Sequence, residues 1–356
     1  MLLRSNQLRA RRCLLAMAAG LLLSPIAGTM LIDRCPMGVR FPDANIIVER
    51  WHSRVPSPQI VFLGSSRTGR AVDGNAIEQV MKRHSSGSPP VFNAAVGWGD
   101  PLTMRYLATH LFSAGTPRLV ILEITPQSVA RRHPYLDILI TRQFTLTDIV
   151  AAGGEIFHCT TKAISRLLSS RLTPFFHHRD HLLAWAGEAT ERLWDKTRRD
   201  RTSETTPPTG DHLATSAQGA RGKVPLHQDA LAEAYLKRTR ELLTDYEVAG
   251  LSPEALEELV ASCRQKTASV ILLQPPVHPK VRALLGPEVM EQYRAFIKRL
   301  EHDYGCRFVD ISEQISGSMF SDCEHANGEG RDRFSRIFAE EVLIPRWRAE
   351  TQVHHE

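Results

Sequence analysis

The segment VFLGSSRTG, residues 61–69, begins as an apolar run and ends in a turn of small residues. Four similar apolar runs follow, and all five are nearly continuous rather than alternating, as in parallel strands that are covered on both faces. With the first run counted from residue 59, the runs occupy 59–64, 90–96, 118–124, 269–274 and 306–311.

Segments with helical patterns separate these runs. They are 74–84, 100–115, 252–265, 286–305 and a last helix of roughly 331–348. In the third of them, Ser252 is expected as the N-cap and Pro253 as the first helical residue. The alternation predicts an α/β fold with a doubly wound, mainly parallel five-stranded sheet, whose active site lies at the C-terminal ends of the strands.

The N-terminal 33 residues are expected to lie outside this fold. Residues 13–32 carry no charge, and their length is just sufficient to cross a bilayer. Four arginines precede this stretch and one follows closely, which predicts a cytoplasmic N-terminus and an extracytoplasmic remainder. We therefore expect a membrane anchor over 1–33, with a cleaved signal peptide as the alternative.

The α/β domain is expected over residues 55–346, with a helical insertion at 138–228. Two amphipathic helical patterns begin the insertion. Residues 196–223 follow, with few large apolar side chains and many Ser, Thr, Pro and Gly residues, and this composition predicts a mobile or disordered loop.

The composition excludes some partners. The chain has 356 residues and a net charge of +5, but its arginines are scattered and form no basic stripe with aromatics, so nucleic-acid binding is not expected. Among six cysteines, Cys306 and Cys323 flank the last predicted strand. They are either a disulfide or buried free thiols. No cysteine and histidine spacing indicates zinc.

Ser66 is the candidate nucleophile, because the first strand delivers it to the C-terminal edge of the sheet. A serine hydroxyl needs a base in contact to act at neutral pH. His325, with Asp322 three residues before it, follows the fifth strand and should reach the same edge. His325 can accept the serine proton and Asp322 can orient the imidazole. The alternative is a serine-rich turn and an unrelated polar loop.

These motifs resemble those of the SGNH, or GDSL-type, hydrolase superfamily. The matching residues are Gly64-Ser65-Ser66, then Asn93, Gly97 and Gly99, and finally Asp322 and His325. The resemblance implies a three-layer, flavodoxin-like fold, with Ser66 rather than Ser65 as nucleophile. It also implies that the second block, with Asn93, Gly97 and Gly99, serves the oxyanion or the substrate. It implies no cofactor and no metal.

The third motif of that family, Gly-x-Asn-Asp, has no counterpart here, because the third strand is followed by Thr125-Pro126-Gln127. The family asparagine normally donates to the oxyanion. The donors left are backbone N–H groups of Ser66 and of Gly97 or Gly99. Either Thr125, Gln127 or another group substitutes for the asparagine, or the enzyme reacts slowly with water.

Gly-Ser-Ser and Asp-x-x-His behind one anchor resemble the membrane-tethered branch of the family, which includes proteins of polysaccharide O-acetylation and teichoic-acid D-alanylation. The likeness implies acyl transfer to or from a cell-surface glycan hydroxyl, with a membrane-bound O-acyltransferase as partner. It also implies a location at the inner membrane with the domain in the periplasm. The alternatives are a plain esterase and a catalytically weak accessory or glycan-binding protein.

Four further features have weaker functional interpretations. The histidines of 177–181 are a metal site or a solvated segment, and His278 is an alternative base. Glu123 is expected as a structural acid near the sheet edge. Trp98 either stacks on a sugar or packs against the protein.

Overall fold

The computed structural model describes residues 2–353 except 36, 85–87, 114, 132–143, 153–160, 188–189, 191–225 and 267. The strands are β1 Ile60–Leu63, β2 Val91–Asn93, β3 Leu119–Glu123, β4 Ser269–Gln274 and β5 Arg307–Asp310. The helices are α1 Leu2–Arg34, α2 Met37–Arg40, α3 Pro42–Ser53, α4 Ser66–Ala71, α5 Gly74–His84, α6 Pro101–Leu111, α7 Leu146–Ala152, α8 Thr161–Leu172, α9 Pro174–His177, α10 Leu226–Leu243, α11 Leu251–Gln265, α12 Pro279–Arg282, α13 Pro287–Tyr304, α14 Gly328–Phe338 and α15 Ile344–Val353. Short 3₁₀ turns occupy Pro126–Val129 and Gly317–Met319, and a π-helical segment, Ala339–Leu343, joins α14 to α15.

The five strands form one parallel sheet in the order β2-β1-β3-β4-β5. This is the flavodoxin-like order, in which ligands bind beyond the carboxyl ends of the strands, at the switch point between β1 and β3. The five predicted strands and the α/β class are therefore confirmed. The turn that carries Ser66 leaves β1 at that switch point.

Both faces of the sheet are buried, which explains the continuous apolar runs. Along β1, Val61 and Leu63 pack on one face with Trp51 of α3, whereas Ile60 and Phe62 pack on the other. Successive strand residues point to opposite faces, so each face needs its own apolar set. The second face is covered by α5 and α14, where Phe338 packs against Phe62 at 5.4 Å between ring centroids.

The predicted N-termini of two helices were wrong. Gly250, at φ 85°, is the N-cap of α11, and Ser252 lies inside the first turn. Ser252 is instead buried, with its hydroxyl 3.5 Å from Asp100 Oδ2. The last helical region also begins earlier than residue 331, because Asn327 caps α14 by accepting from the Gly330 N–H.

The described part of the insertion is helical and packs against the end of α1. Arg171 of α8 forms an ion pair with Asp33, with 2.8 Å between Nη1 and Oδ1. Thr29 donates to the Arg171 carbonyl at 3.0 Å. The whole loop expected at 196–223 lies outside the described residues.

No helix within the described part of the chain combines the length and apolar character needed to span a membrane. The anchor over 1–33 stays a prediction. The described cysteines Cys35, Cys263, Cys306 and Cys323 are free thiols. Of the two alternatives for Cys306 and Cys323, the structure therefore supports buried free thiols over a disulfide.

Candidate active site

Hydrogen bonds to a buried carboxylate hold the turn after β1 in place. Glu123, at the end of β3, accepts hydrogen bonds from the Ser65 N–H and hydroxyl, both at 2.7 Å, and from the Thr68 hydroxyl at 2.6 Å. A Cβ on Gly64 would lie 2.6 Å from Glu123 Oε2, so the turn requires glycine there. Ser65 is thereby committed to the scaffold and caps α4, while Ser66 is the first residue of that helix.

The structure brings the three predicted catalytic residues together. Ser66 Oγ lies 2.8 Å from His325 Nε2, and His325 Nδ1 lies 2.9 Å from Asp322 Oδ2. The loop before α14 supplies both partners, and Asp322 also accepts from the backbone N–H groups of Glu324 and His325, each at 2.7 Å. The result is a continuous Ser-His-Asp chain of hydrogen bonds at the switch point of the sheet.

Asp322 is well suited to remain charged. Burial by itself would raise its pKa, but the hydrogen bonds from His325 and from the two backbone N–H groups outweigh burial and lower the pKa to about 2. Asp322 is therefore ionised at neutral pH and can stabilise a protonated His325.

The second predicted motif divides into residues with different surroundings. Asn93 donates to the Val72 carbonyl at 2.9 Å, and neither cavity described below is lined by it. Gly99 donates to the Val96 carbonyl, and a Cβ there would lie 2.3 Å from the Gly64 carbonyl oxygen. Gly97 lines the space around Ser66. Among the described residues, the Gly97 and Ser66 N–H groups have no hydrogen-bond partner, so these two can receive an oxyanion.

Trp98 lies between the two glycines in a strained conformation. Its φ is 64°, in the left-handed region that disfavours large side chains, and its side chain is 45% exposed. The residue is therefore held at the surface beside Ser66 instead of packing in the core. Such strain is found preferentially at functional sites.

The loop after β3, where the sequence departs from the SGNH motifs, is held by hydrogen bonds within the fold. Thr125 and Ser128 form a reciprocal capping box, and Thr125 Oγ1 also accepts from Arg67 at 3.1 Å. The buried hydroxyl of Tyr293 donates to the Ile124 carbonyl at 3.1 Å. Gln127 is buried and lines neither cavity beside Ser66. Thr125 and Gln127 are thus not positioned as the substitutes that the sequence suggested.

An ion pair that was not predicted from the sequence connects two of the predicted motifs. Arg67 Nε lies 3.2 Å from Glu324 Oε1, with the two side chains 11% and 15% exposed. Arg67 follows Ser66 directly, and Glu324 precedes His325. The only signal was that each is a charged neighbour of a candidate residue.

Two spaces meet at Ser66. The Trp98 cavity, of about 260 Å³, is lined by Ser66, His325, Arg67, Trp98, Ser128 and Glu324, among others. The Arg331 groove, of about 590 Å³, is lined by Ser66, Ser321, Asn327 and Arg331, among others. Arg70 and Gly97 line both spaces.

The other candidates lie elsewhere. His278 caps α12 by accepting from the Lys280 N–H at 3.1 Å, packs on Phe320, and lines neither space at Ser66. Within the described ranges, no group of three His, Cys, Asp or Glu side chains is arranged to hold a metal ion.

Fold and site together define an α/β protein of flavodoxin-like topology with a Ser-His-Asp arrangement at its switch point. A protein-family model matches residues 238–344, less than half of the chain. No curated protein matches the sequence.

Solved structures with some likeness include two acetylxylan esterases. One is similar at 10% identity and a TM-score of 0.35, over 80% of this chain and 97% of that one. The other, a catalytic mutant from Geobacillus stearothermophilus, is similar at 12% identity and a TM-score of 0.36, over 80% and 93%. Structures this distant do not indicate an activity for this protein, and the activity is therefore inferred from the site itself.

Proposed function

We propose that this protein transfers or hydrolyses an acyl ester of a cell-surface glycan through an acyl-Ser66 intermediate. The observation that carries the proposal is the hydrogen-bond chain from Ser66 through His325 to Asp322, with distances of 2.8 and 2.9 Å. Asp322 holds the other ring nitrogen of His325, which leaves Nε2 oriented to accept the Ser66 proton and stabilises the imidazolium that forms.

In the first half of the reaction, Ser66 Oγ bonds to the ester carbonyl carbon while His325 Nε2 takes the hydroxyl proton. The carbonyl oxygen becomes an oxyanion, for which the Ser66 and Gly97 N–H groups are the donors. The bond to the alcohol oxygen then breaks, and that oxygen takes the proton from His325. Ser66 is left acylated.

In the second half, a glycan hydroxyl or water gives its proton to His325 and attacks the acyl carbon. The bond to Ser66 Oγ breaks, and the serine recovers the proton. The choice between glycan and water decides whether the protein is a transferase or an esterase. The resemblance of its motifs to the membrane-tethered branch favours transfer, with a membrane-bound O-acyltransferase supplying the acyl group.

A fluorophosphonate probe tests the nucleophile, because it forms a stable bond only with an activated serine. The full chain should be labelled, Ser66→Ala should not, and Ser53→Ala, at a distant serine, should be labelled normally. A folded wild-type protein that never reacts would contradict the proposal.

An accessory role is the second candidate, and one observation favours it: in the described part of the loop after β3, neither Thr125 nor Gln127 lines a space at Ser66. Losing one oxyanion donor costs about 2.7–4 kcal/mol of transition-state stabilisation. Complementation of a deletion strain separates the two functions, since Ser66→Ala should complement only if the protein is a scaffold.

The proposed location follows from the predicted anchor and orientation. Alkaline phosphatase joined after residue 54 and expressed in bacteria should be active, because that enzyme needs an oxidising, extracytoplasmic compartment for its disulfides. An inactive but stable fusion would argue for a cytoplasmic domain.

A further inference from the structure

The Arg331 groove has an uneven charge distribution. Its lining includes two arginines, Arg70 and Arg331, and no carboxylate. Ser66 and Gly97 lie on the same groove, so a molecule bound there is in contact with the candidate nucleophile.

The two arginines differ in how far their charge is compensated. Arg331 lies 3.5 Å from Asp332 and 3.9 Å from Asp73. Arg70 is exposed at the end of α4, and among the described residues it has no ion pair and no side-chain hydrogen bond. The neighbouring Arg67 is already paired with Glu324. Arg70 therefore carries the uncompensated positive charge next to Ser66.

A guanidinium in this position is suited to one chemical class of ligand. Arginine presents its N–H groups in a planar fork that matches a carboxylate or a phosphate with two parallel hydrogen bonds. A groove whose charged side chains all have the same sign also raises the local concentration of a substrate of opposite charge.

The relative sizes of the two spaces suggest which part of the ester each receives. The Trp98 cavity, at about 260 Å³, is large enough for a short acyl group. The Arg331 groove, at about 590 Å³, has room for the bulkier alcohol part.

We infer that the Arg331 groove binds the alcohol part of the substrate and that Arg70 recognises an anionic substituent on it, a carboxylate or a phosphate. This inference rests on the proposed acyl-Ser66 chemistry and narrows its substrate to esters of anionic glycans or polyols. Arg70 acts as a specificity-determining residue and takes no part in proton transfer.

Three acetyl esters with related phenolic leaving groups test the inference on the full chain. They are methyl 4-acetoxybenzoate, which is neutral, 4-acetoxybenzoate, which carries a carboxylate, and 4-acetoxyphenyl phosphate. The measured quantity is the ratio of kcat/KM for each anionic ester to kcat/KM for the neutral ester. Comparing this ratio between variants cancels the intrinsic reactivity of each leaving group.

Arg70→Gln should lower the ratio about tenfold for at least one anion, as expected for the loss of one charge-assisted interaction. Arg70→Lys should retain part of the preference, and added salt should reduce the ratio in the wild type but not in Arg70→Gln. Arg294→Gln, the same change at an exposed arginine of α13, should leave the ratio unchanged. The anion whose ratio falls more identifies the group that Arg70 prefers.

The inference is overturned if Arg70→Gln lowers kcat/KM equally for all three esters, or changes none of them. In both cases turnover of the neutral ester and probe labelling of Ser66 would still support the acyl-serine chemistry. Absence of labelling and of turnover for every ester would instead overturn the proposed function itself.

Discussion

Arg67 and Glu324 form an ion pair, with 3.2 Å between Nε and Oε1, that connects the turn of Ser66 to the loop of His325. The same guanidinium donates to Thr125 in the loop after β3. Three loops that meet at the sheet edge are thus held together next to the candidate catalytic chain. We conclude that the pair positions the serine relative to its base.

Glu324→Gln is therefore expected to reduce kcat about tenfold, because small displacements of a nucleophile from its base are costly. It should also lower the free energy of unfolding by about 3 kcal/mol, since the opposite charge beside the largely buried Arg67 would be removed. Urea unfolding and ester turnover measure the two effects.

A double variant, Arg67→Met with Glu324→Leu, separates position from stability. Replacing both charges by apolar groups should recover most of the unfolding free energy. The kcat should stay low if the pair holds Ser66 and His325 in register. Full recovery of kcat would mean that the pair only stabilises the fold.

Asp322→Asn should lower kcat by about 10² to 10⁴, because a neutral amide cannot stabilise the protonated imidazole. Asp322 is charged at neutral pH, since its pKa is lowered to about 2. Steady-state ester turnover provides the measurement.

The surface pair of His302 and Asp303 offers a matched control for this change. Its Nδ1 to Oδ1 distance is 2.8 Å, but its histidine side chain is 87% exposed, against 21% for His325, and the pair lines neither space at Ser66. Asp303→Asn should leave kcat unchanged. Equal losses in both variants would remove the special role of Asp322.

The sheet and the chain of Ser66, Asp322 and His325 were accessible from sequence because each has a local pattern. Continuous apolar runs mark strands that are buried on both faces. Strand ends then bring Ser66 and His325 to one edge, although they are 259 residues apart. The parallel topology thus allowed the Asp-x-x-His motif, which is weak by itself, to be predicted close to Ser66.

The supporting contacts were not accessible in this way. Glu123 was expected as a structural acid, but its four hydrogen bonds from Ser65 and Thr68 depend on how β1 and β3 pair. Ser252 was misassigned as an N-cap because its local preference gave way to burial against Asp100. Tertiary contacts decided both, and neither contact leaves a periodic signal in the chain.

Substitution by alanine should destabilise the protein at Gly99 but not at Gly97. A Cβ on Gly99 would lie 2.3 Å from the Gly64 carbonyl oxygen, whereas nothing lies within 4 Å of a Cβ on Gly97. Gly99→Ala should therefore cost about 1–3 kcal/mol of unfolding free energy and reduce kcat/KM by displacing the Gly97 N–H. Gly97→Ala should fold with nearly wild-type stability. Thermal unfolding and ester turnover of the two variants, compared side by side, check the close approach of the two loops.

Asp100, which caps α6 directly after this loop, should make stability depend on pH. It is completely buried, and burial raises its pKa to about 6, although hydrogen bonds from Thr103 oppose the shift. Because the unfolded carboxyl has a pKa near its ordinary value of 3.8, the folded state holds a proton that the unfolded chain releases between about pH 4 and pH 6. The contribution of Asp100 is therefore fully present below about pH 4 and is lost as the pH rises through about 6.

Asp100→Asn isolates this contribution, because asparagine remains a good N-cap but cannot ionise. Relative to the wild type, the variant should gain up to about 3 kcal/mol of unfolding free energy between pH 4 and pH 7. Urea unfolding of both proteins at several pH values gives the difference directly and cancels the titration of all other groups. A difference that stays constant with pH would show that Asp100 is already ionised in the folded protein, and the loop of Gly97 and Trp98 would then precede a helix capped by a buried charge.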